Sequence, residues 1–335
     1  MKKANVAIFV PNLGCPHACS FCDQRKIAGQ NTIPTPQDVE DTARRALSEL
    51  GDSAKDAEIA FFGGSFTAIE PALMLSLLSA AAPFTGNGGF KGIRISTRPD
   101  AIDASILMIL KDNGVTSIEL GAQSMDARVL TMNRRGHTPR DIELASELIR
   151  SKGFELGLQM MTGLYGSSPE ADKATAQAIA ALSPKTVRIY PTIVLEGTQL
   201  AQLYREGEYK PPELEESVTL CAGLLEFFLQ KDIKVIRLGL HAMKSIEENY
   251  VAGPWHPAFR ELCEGVIYRK KAWKALEKQH LENCKNVVLF VAPQEISKMA
   301  GQHRQNILAL EDVFHIQIKI CGREMLKYTV EVQCI

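Results

Sequence analysis

No stretch of this 335-residue sequence approaches the roughly 20 consecutive apolar residues that cross a bilayer as a helix, which excludes a span of that kind. Charge of one sign is also missing. The 38 basic and 39 acidic residues leave a formal charge of -1, so no global field draws the chain toward nucleic acid or a membrane surface. The opening segment has two lysines and a short apolar run that stops at Pro11 without a small-residue cleavage site; it reads as a first β-strand and not as a signal peptide. These absences favour the cytoplasm. There the eight cysteines are expected as thiols, some of them metal ligands, and not as a disulfide framework. An apolar fraction of 45% suffices to bury one large core, or a core with a smaller attached unit.

What is present is a rhythm. Short β-rich runs, NVAIFV (5–10), EIAFF (58–62), GIRIS (92–96), SIEL (117–120), ELGLQM (155–160) and TVRIY (186–190), alternate with segments of helical periodicity, and VIRLGL (235–240) follows as a late strand. Such βα repetition predicts an α/β fold with a parallel sheet covered by helices. Six units and a late strand fit a partial (β/α)6 barrel better than a full eightfold one, while a doubly wound sheet stays open; in either fold the functional groups gather beyond the carboxyl ends of the strands. After about residue 243 the pattern changes. Residues 1–245 are read as the barrel and 246–335 as a small C-terminal α/β extension, with strands expected at NVVLFV (286–291), VFHIQIKI (313–320) and EMLKYTVEV (324–332).

Directly after the first strand, Cys15, Cys19 and Cys22 are spaced C-x3-C-x2-C. Three thiolates on one loop can wrap a single cubane and leave its fourth iron without a cysteine. Zinc is the competing reading, with His17 close by, but zinc sites more often use C-x2-C pairs and no partnering pair follows: Cys221, Cys263, Cys284, Cys321 and Cys334 are isolated and read as small core residues. Gly63, Gly64, Ser65 and Thr67 follow the second strand, where paired glycines allow close backbone approach.

The segment from Cys15 through Phe21 to Cys22 resembles the signature of the radical S-adenosylmethionine superfamily. Taken with GGSFT (63–67), RISTRPD (94–100), ELGAQS (119–124) and RGHT (135–138), in that order, it resembles more closely the radical domain of the elongator catalytic-subunit group, and more broadly the oxygen-independent coproporphyrinogen oxidase group. The resemblance covers roughly residues 5–245. It implies that Cys15, Cys19 and Cys22 bind a [4Fe–4S] cluster whose open iron is chelated by S-adenosylmethionine. One-electron reduction would then give methionine and a 5′-deoxyadenosyl radical. By the same resemblance, Gly63, Gly64, Ser65 and Thr67 meet the methionine amino group, and Glu119 and Gln123 meet the ribose or methionine part. A low-potential electron donor such as flavodoxin or ferredoxin is the implied partner.

Strand alternation puts Arg94, Ser96 and Arg98 in one phase, Arg188 and Tyr190 in another strand's corresponding phase, and Arg237 and His241 in a third. Arg98, Gln159, Arg188, Tyr190, Arg237 and His241 are therefore candidates for the substrate pocket, against the plainer reading of salt bridges at strand ends. Arg134, Arg135 and His137 divide between substrate contact and structural capping. The extended region after the sixth strand, from Tyr190 to Tyr209, is a candidate lid or substrate wall. The chain departs from the elongator pattern: its barrel starts almost at residue 1, without a basic RNA-binding unit, and about 90 C-terminal residues are too few for an acetyltransferase domain. The expected activity is hydrogen abstraction from a small-molecule or peptide-like substrate, with an RNA-modifying enzyme and a cluster-containing chaperone or binding protein as alternatives. RNA is possible but not favoured, and no membrane partner is expected.

Overall fold

The structure is a computed structural model that describes residues 5–10, 13–15, 19–23, 32–279 and 284–335. Seven parallel strands form an open, curled sheet in the order β1 (Asn5–Val10), β2 (Glu58–Gly63), β3 (Gly92–Thr97), β4 (Val115–Gln123), β5 (Glu155–Thr162), β6 (Thr186–Pro191) and, at the far edge, β8 (Lys234–Leu238). Between β6 and β8 lies β7 (Val194–Leu195), which leaves the sheet and pairs antiparallel with β9 (Tyr250–Ala252). This is the expected partial barrel with its late strand. The late strand ends at Leu238 because Gly239 turns the backbone to φ +83°.

The crossovers carry α1 (Pro36–Leu50), α2 (Pro71–Ala81), α3 (Ala104–Asp112), α4 (Ala127–Met132), α5 (Pro139–Ser151), α6 (Pro169–Ala181), α7 (Gln199–Arg205) and α8 (Leu214–Gln230). Their starts are written in the sequence. Thr35-Pro36 and Thr138-Pro139 open α1 and α5 with a threonine cap, a proline at the first turn and a reciprocal aspartate three residues on. The main core lies between these helices and the outer face of the sheet, through residues such as Ile59, Phe61, Ile93, Ile95, Ile118 and Leu158.

The inner face is different. Arg94 and Ser96 alternate with Ile93 and Ile95, so β3 is buried on both faces, apolar outside and polar inside. Inside, Arg94 donates to Glu58 (2.8 Å), Glu119 (3.1 Å) and Glu155 (3.0 Å), and Ser117 donates to Glu58 (2.6 Å). Three carboxylates around one guanidinium offset the cost of burying it and fill the lower barrel.

The C-terminal region continues with α9 (Lys244–Asn249), α10 (Phe259–Glu277), β10 (Asn286–Val291), α11 (Ile296–Ala300), α12 (Gln305–Phe314), β11 (Gln317–Gly322) and β12 (Glu331–Cys334). β10 is central, parallel to β11 and antiparallel to β12. One helix serves two cores. Phe259, Cys263 and Ile267 of α10 belong to the main core, while Tyr268, Ala272 and Leu276 belong to the small one. Glu264 on α10 is buried among Lys298, Lys327, Arg260 and Tyr328, and despite burial these partners hold its carboxyl down at about 2.

Three local expectations are corrected here. Val313 and Phe314 end α12 instead of starting a strand, because His315 takes a left-handed conformation (φ 54°) before β11. The final strand is Glu331–Cys334, since Leu326 to Thr329 turn and Tyr328 has φ 61°. Cys284 and Cys334, read as isolated thiols, form a disulfide that ties the lead-in of β10 to the end of β12. Among the described residues no helix is long and apolar enough to cross a membrane.

Candidate active site

All the candidate groups stand at or below the carboxyl end of the sheet. Past β1 the chain passes through Leu13, Gly14 and Cys15, and this loop lies directly on the loop after β2. Gly64 N–H donates to Val10 O (3.0 Å) and Ser65 N–H to Leu13 O (2.9 Å). A Cβ on Gly64 would sit 1.9 Å from Leu13 O, and one on Gly14 2.2 Å from Ser65 O. The glycines thus permit one backbone to approach another. Hydroxyls tie the same loop to β3: Ser65 Oγ lies 2.8 Å from Thr97 Oγ1 and accepts from Arg98 N–H (3.2 Å), while Thr67 Oγ1 bonds Thr97 Oγ1 (2.6 Å) and Ala101 O (2.6 Å).

On the other side the cysteine loop is held by the loop after α4. Ser20 donates from its side chain to Asn133 Oδ1 (2.7 Å) and from its backbone to Asn133 O (3.2 Å). Arg135, buried, donates Nη1–H to Cys19 Sγ (3.0 Å) and Nη2–H to Gly121 O (2.6 Å). This contact joins residues far apart in the chain, which is why pattern reasoning left Arg135 undecided and did not find Asn133 or Ser20. Cys19 is buried, Cys22 half-buried and Cys15 exposed. Crowding by the surrounding chain nevertheless pushes the Cys15 thiol up, Cys19 adds to this, and the charges of Arg135 and Arg98 oppose it. Pro16 and His17 lie outside the described residues.

Around this loop several buried polar atoms have no partner among the described residues: Arg98 Nη1, Arg135 Nε, Gln123 Oε1 and His137 Nδ1. Arg98 is otherwise clamped by Asp100, through Nε (2.9 Å) and Nη2 (2.8 Å). Gln123 ends β4 in a left-handed conformation (φ 66°) where the pairing with β5 slips, so its amide leaves the ladder at the rim. His137 Nε2 lies 3.3 Å from Ala122 O; burial and the neighbouring Arg135 push its pKa down to about 4, so the ring is neutral at ordinary pH.

Deeper in the barrel, Glu119 is separated from Gln123 by four residues of strand, about 13 Å. Its carboxylate is taken up by protein: Arg188 donates Nε–H to Oε2 (2.8 Å) and Nη2–H to Oε1 (3.1 Å), Arg94 donates to Oε1 and Gln159 Nε2–H to Oε2 (2.9 Å). Burial raises the Glu119 carboxyl, but Arg188 and Arg94 outweigh it and hold it below the usual carboxylate range. The Arg188 guanidinium also lies 4.7 Å over the Phe62 ring. Tyr190 and Arg237 are half-buried beyond it, and His241 is exposed at the rim.

The region after β6 packs against the cysteine loop. Leu200 N–H, at the start of α7, donates to Ser20 O (2.7 Å), and Cys19 and Phe21 pack with Val194, Leu200, Ala201 and Tyr209. Two regular elements, β7 and α7, lie within this stretch.

Among the described residues no three His, Cys, Asp or Glu side chains converge on a point as they would around a single metal ion. A cubane does not ask for that, because each thiolate binds a different iron. Three soft sulfur donors on one loop, with guanidinium N–H groups of Arg98 and Arg135 beside them that have no partner among the described residues, fit an anionic iron–sulfur cluster and a carboxylate-bearing cosubstrate.

Residues 9–179 match the family described as the Radical SAM superfamily, and residues 184–269 match the Radical SAM C-terminal domain. The chain belongs to the radical SAM superfamily. A tRNA uridine(34) acetyltransferase of Dehalococcoides mccartyi is 27% identical over 239 residues, covering 62% of this chain and 52% of that protein. The protein of the same name from Methanocaldococcus jannaschii is 35% identical over 131 residues, 38% of this chain and 24% of its own length. This radical SAM chain therefore spans about half the length of the first relative (52%) and less of the second. Among solved structures, an N-terminally truncated Elp3 of Methanocaldococcus infernus superposes with a TM-score of 0.63 at 22% identity, covering 80% of this chain and 63% of that one. SuiB of Streptococcus suis, bound to S-adenosylmethionine, has a TM-score of 0.50 at 15% identity over 73% of this chain and 52% of that one. These two likenesses concern the fold. The chain is a radical SAM enzyme acting on an unspecified substrate.

Proposed function

We propose that this radical SAM enzyme binds a [4Fe–4S] cluster through Cys15, Cys19 and Cys22, holds S-adenosylmethionine beside it, and abstracts hydrogen from a small-molecule or peptide-like substrate in the barrel mouth. The reading is supported above all by one contact, Arg135 to Cys19, which ties the cysteine loop to the rim of β3 and β4, where atoms of Arg98 and Gln123 have no partner among the described residues. When bound, the cluster and cosubstrate supply a single electron and a reactive primary carbon, chemistry that acid and base side chains alone do not offer. The chain's own part is positional. Arg98 and Arg135 offer N–H groups to a carboxylate, Gln123 offers an acceptor to an ammonium or hydroxyl, and neutral His137 offers its Nδ1 face. The segment Val194–Tyr209, packed on Cys19 and Phe21, excludes water from the carbon that reacts. The Glu119–Arg188–Gln159 network is assigned here as a rigid inner wall, since its carboxylate already has protein partners. The electron comes from a low-potential donor of the flavodoxin or ferredoxin kind, in a reducing cytoplasm.

A second reading, modification of transfer RNA, is supported by the names of the relatives. The experiment that tests both is anaerobic formation of 5′-deoxyadenosine from S-adenosylmethionine with dithionite, with metabolite extract in one arm and bulk transfer RNA in the other. Stimulation by extract alone supports the first reading, stimulation by transfer RNA the second, and absence of cleavage in both arms with a loaded cluster refutes the proposal.

A further inference from the structure

The upper barrel holds more positive charge than its carboxylates neutralise. Arg94 has Glu58, Glu119 and Glu155, and Arg188 has Glu119. Arg237 has none. Among the described residues its hydrogen bond goes from Nε–H to its own strand end, Gly239 O (2.8 Å), and no carboxylate pairs with it. Arg188 and Arg237 are register partners on the neighbouring parallel strands β6 and β8 just past a register shift, and the next pair, Ile189 and Leu238, lies in the main core, so both arginines leave the sheet on the inner face. Arg188 is known to face the barrel interior, because it meets Glu119 and Phe62 there. Arg237 therefore stands beside it in the mouth, half-buried, with like charge next to it and burial working against its own charge. A guanidinium does not lose its proton under such pressure, so an anion placed beside it would relieve the standing cost.

The groups around the pair fit that purpose. Tyr190, two residues beyond Arg188, lies close to both Arg188 and Arg237. His241 stands exposed at the rim near Arg237 and Arg188, whose charges oppose its protonation. Arg237 lies on β8 and His241 follows it, at the sheet edge opposite β1, whereas the Arg98, Gln123 and Arg135 cluster stands at or after the ends of β3 and β4.

We propose that Arg188 and Arg237, with Tyr190 and His241, form the substrate-anchoring subsite and bind a carboxylate or phosphate group carried by a small substrate. This rests on the radical SAM reading above and narrows its substrate class. The N–H groups that Arg188 does not give to Glu119 and that Arg237 does not give to Gly239 O can donate to either oxyanion.

The test is calorimetric titration of the anaerobically reconstituted full chain, loaded with S-adenosylmethionine, using malonate, inorganic phosphate and the neutral malonamide. At least one anion is expected to bind and malonamide not to. Arg237→Met should weaken that anion about tenfold or more while changing S-adenosylmethionine affinity less than about twofold. The tighter anion names the group on the substrate. The proposal is overturned if neither anion binds, if R237M binds them as the parent does, or if the anion displaces S-adenosylmethionine. Should R237M fail to fold, Arg237→Lys decides: a threefold or greater loss supports the subsite, and parent-like binding overturns it. Iron content of the parent separates the two failures, since a chain without a cluster defeats the functional reading, whereas a loaded chain indifferent to anions defeats only this one.

Discussion

The sharpest structural prediction concerns Gly64→Ala. The added Cβ would lie 1.9 Å from Leu13 O and 2.9 Å from Leu13 C, distances that real Cβ atoms do not show, so the two loops must separate by about 1 Å or more. Neither contacting atom belongs to a flexible side chain. The displacement therefore falls on the Leu13–Cys15 backbone, and the Ser65 N–H to Leu13 O bond stretches with it. Overpacking of this sort costs about 1–3 kcal/mol, which leaves the fold standing, but a 1 Å misplacement at a reacting centre costs about 100-fold in rate. The assay pairs iron and sulfide content after anaerobic reconstitution with the initial rate of 5′-deoxyadenosine formation and a thermal melt. G64A is expected to melt near the parent, to load incompletely and to cleave S-adenosylmethionine about 100-fold more slowly. Gly223→Ala is the control. It sits inside α8 with nothing within 4 Å of the new methyl, so it should stabilise by about 1 kcal/mol and leave cleavage unchanged. A G64A protein with the parent's iron content and rate would refute the claim that this close approach positions Cys15.

Arg135→Gln removes a charge-assisted hydrogen bond from Cys19 and should lower the cluster's midpoint potential; the reduced-to-oxidised ratio at a fixed potential is expected to fall about tenfold, some 59 mV for one electron, by spectroelectrochemical titration. Glu119→Gln takes the shared counter-ion from Arg94 and Arg188 and should cost about 3–5 kcal/mol in denaturant unfolding. Because those arginines depress the Glu119 carboxyl despite its burial, the parent holds this contribution above the ordinary carboxylate value of 4.5 and loses it as pH falls below, a dependence E119Q should lack. His137, buried and next to Arg135, is held at about 4 against an ordinary 6.5, so the unfolded chain takes up a proton first; stability should fall as pH drops from 6.5 toward 4, by up to about 3 kcal/mol, and His137→Gln should flatten that slope.

Much of the architecture was legible because its signals are local. The strand cores of β1 to β6 match their apolar runs within a few residues, and Thr-Pro starts announce α1 and α5. Strand ends were less legible where a backbone reversal decides them, as at Gly239, His315 and Tyr328. The inward phase of Arg94, Ser96, Arg188 and Arg237 was readable from alternation with apolar neighbours, yet alternation says nothing about depth. It could not show that Glu119 lies below the rim, saturated by Arg94, Arg188 and Gln159, while Gln123 reaches the rim through a left-handed turn. Contacts between distant loops were the least legible. Arg135 meets Cys19 across 116 positions, Ser20 meets Asn133 across 113, and Cys284 meets Cys334 across 50; none leaves a mark in the spacing of either partner.

The central claim is that three protein thiolates leave one iron corner for the cosubstrate, and Mössbauer spectroscopy of the anaerobically reconstituted, ⁵⁷Fe-labelled chain reads that corner directly. One iron site should change its isomer shift when S-adenosylmethionine is added, and Cys15→Ala, Cys19→Ala or Cys22→Ala should abolish the cluster. A protein that takes up zinc in place of iron, or a cubane whose sites do not respond to S-adenosylmethionine, would contradict the account.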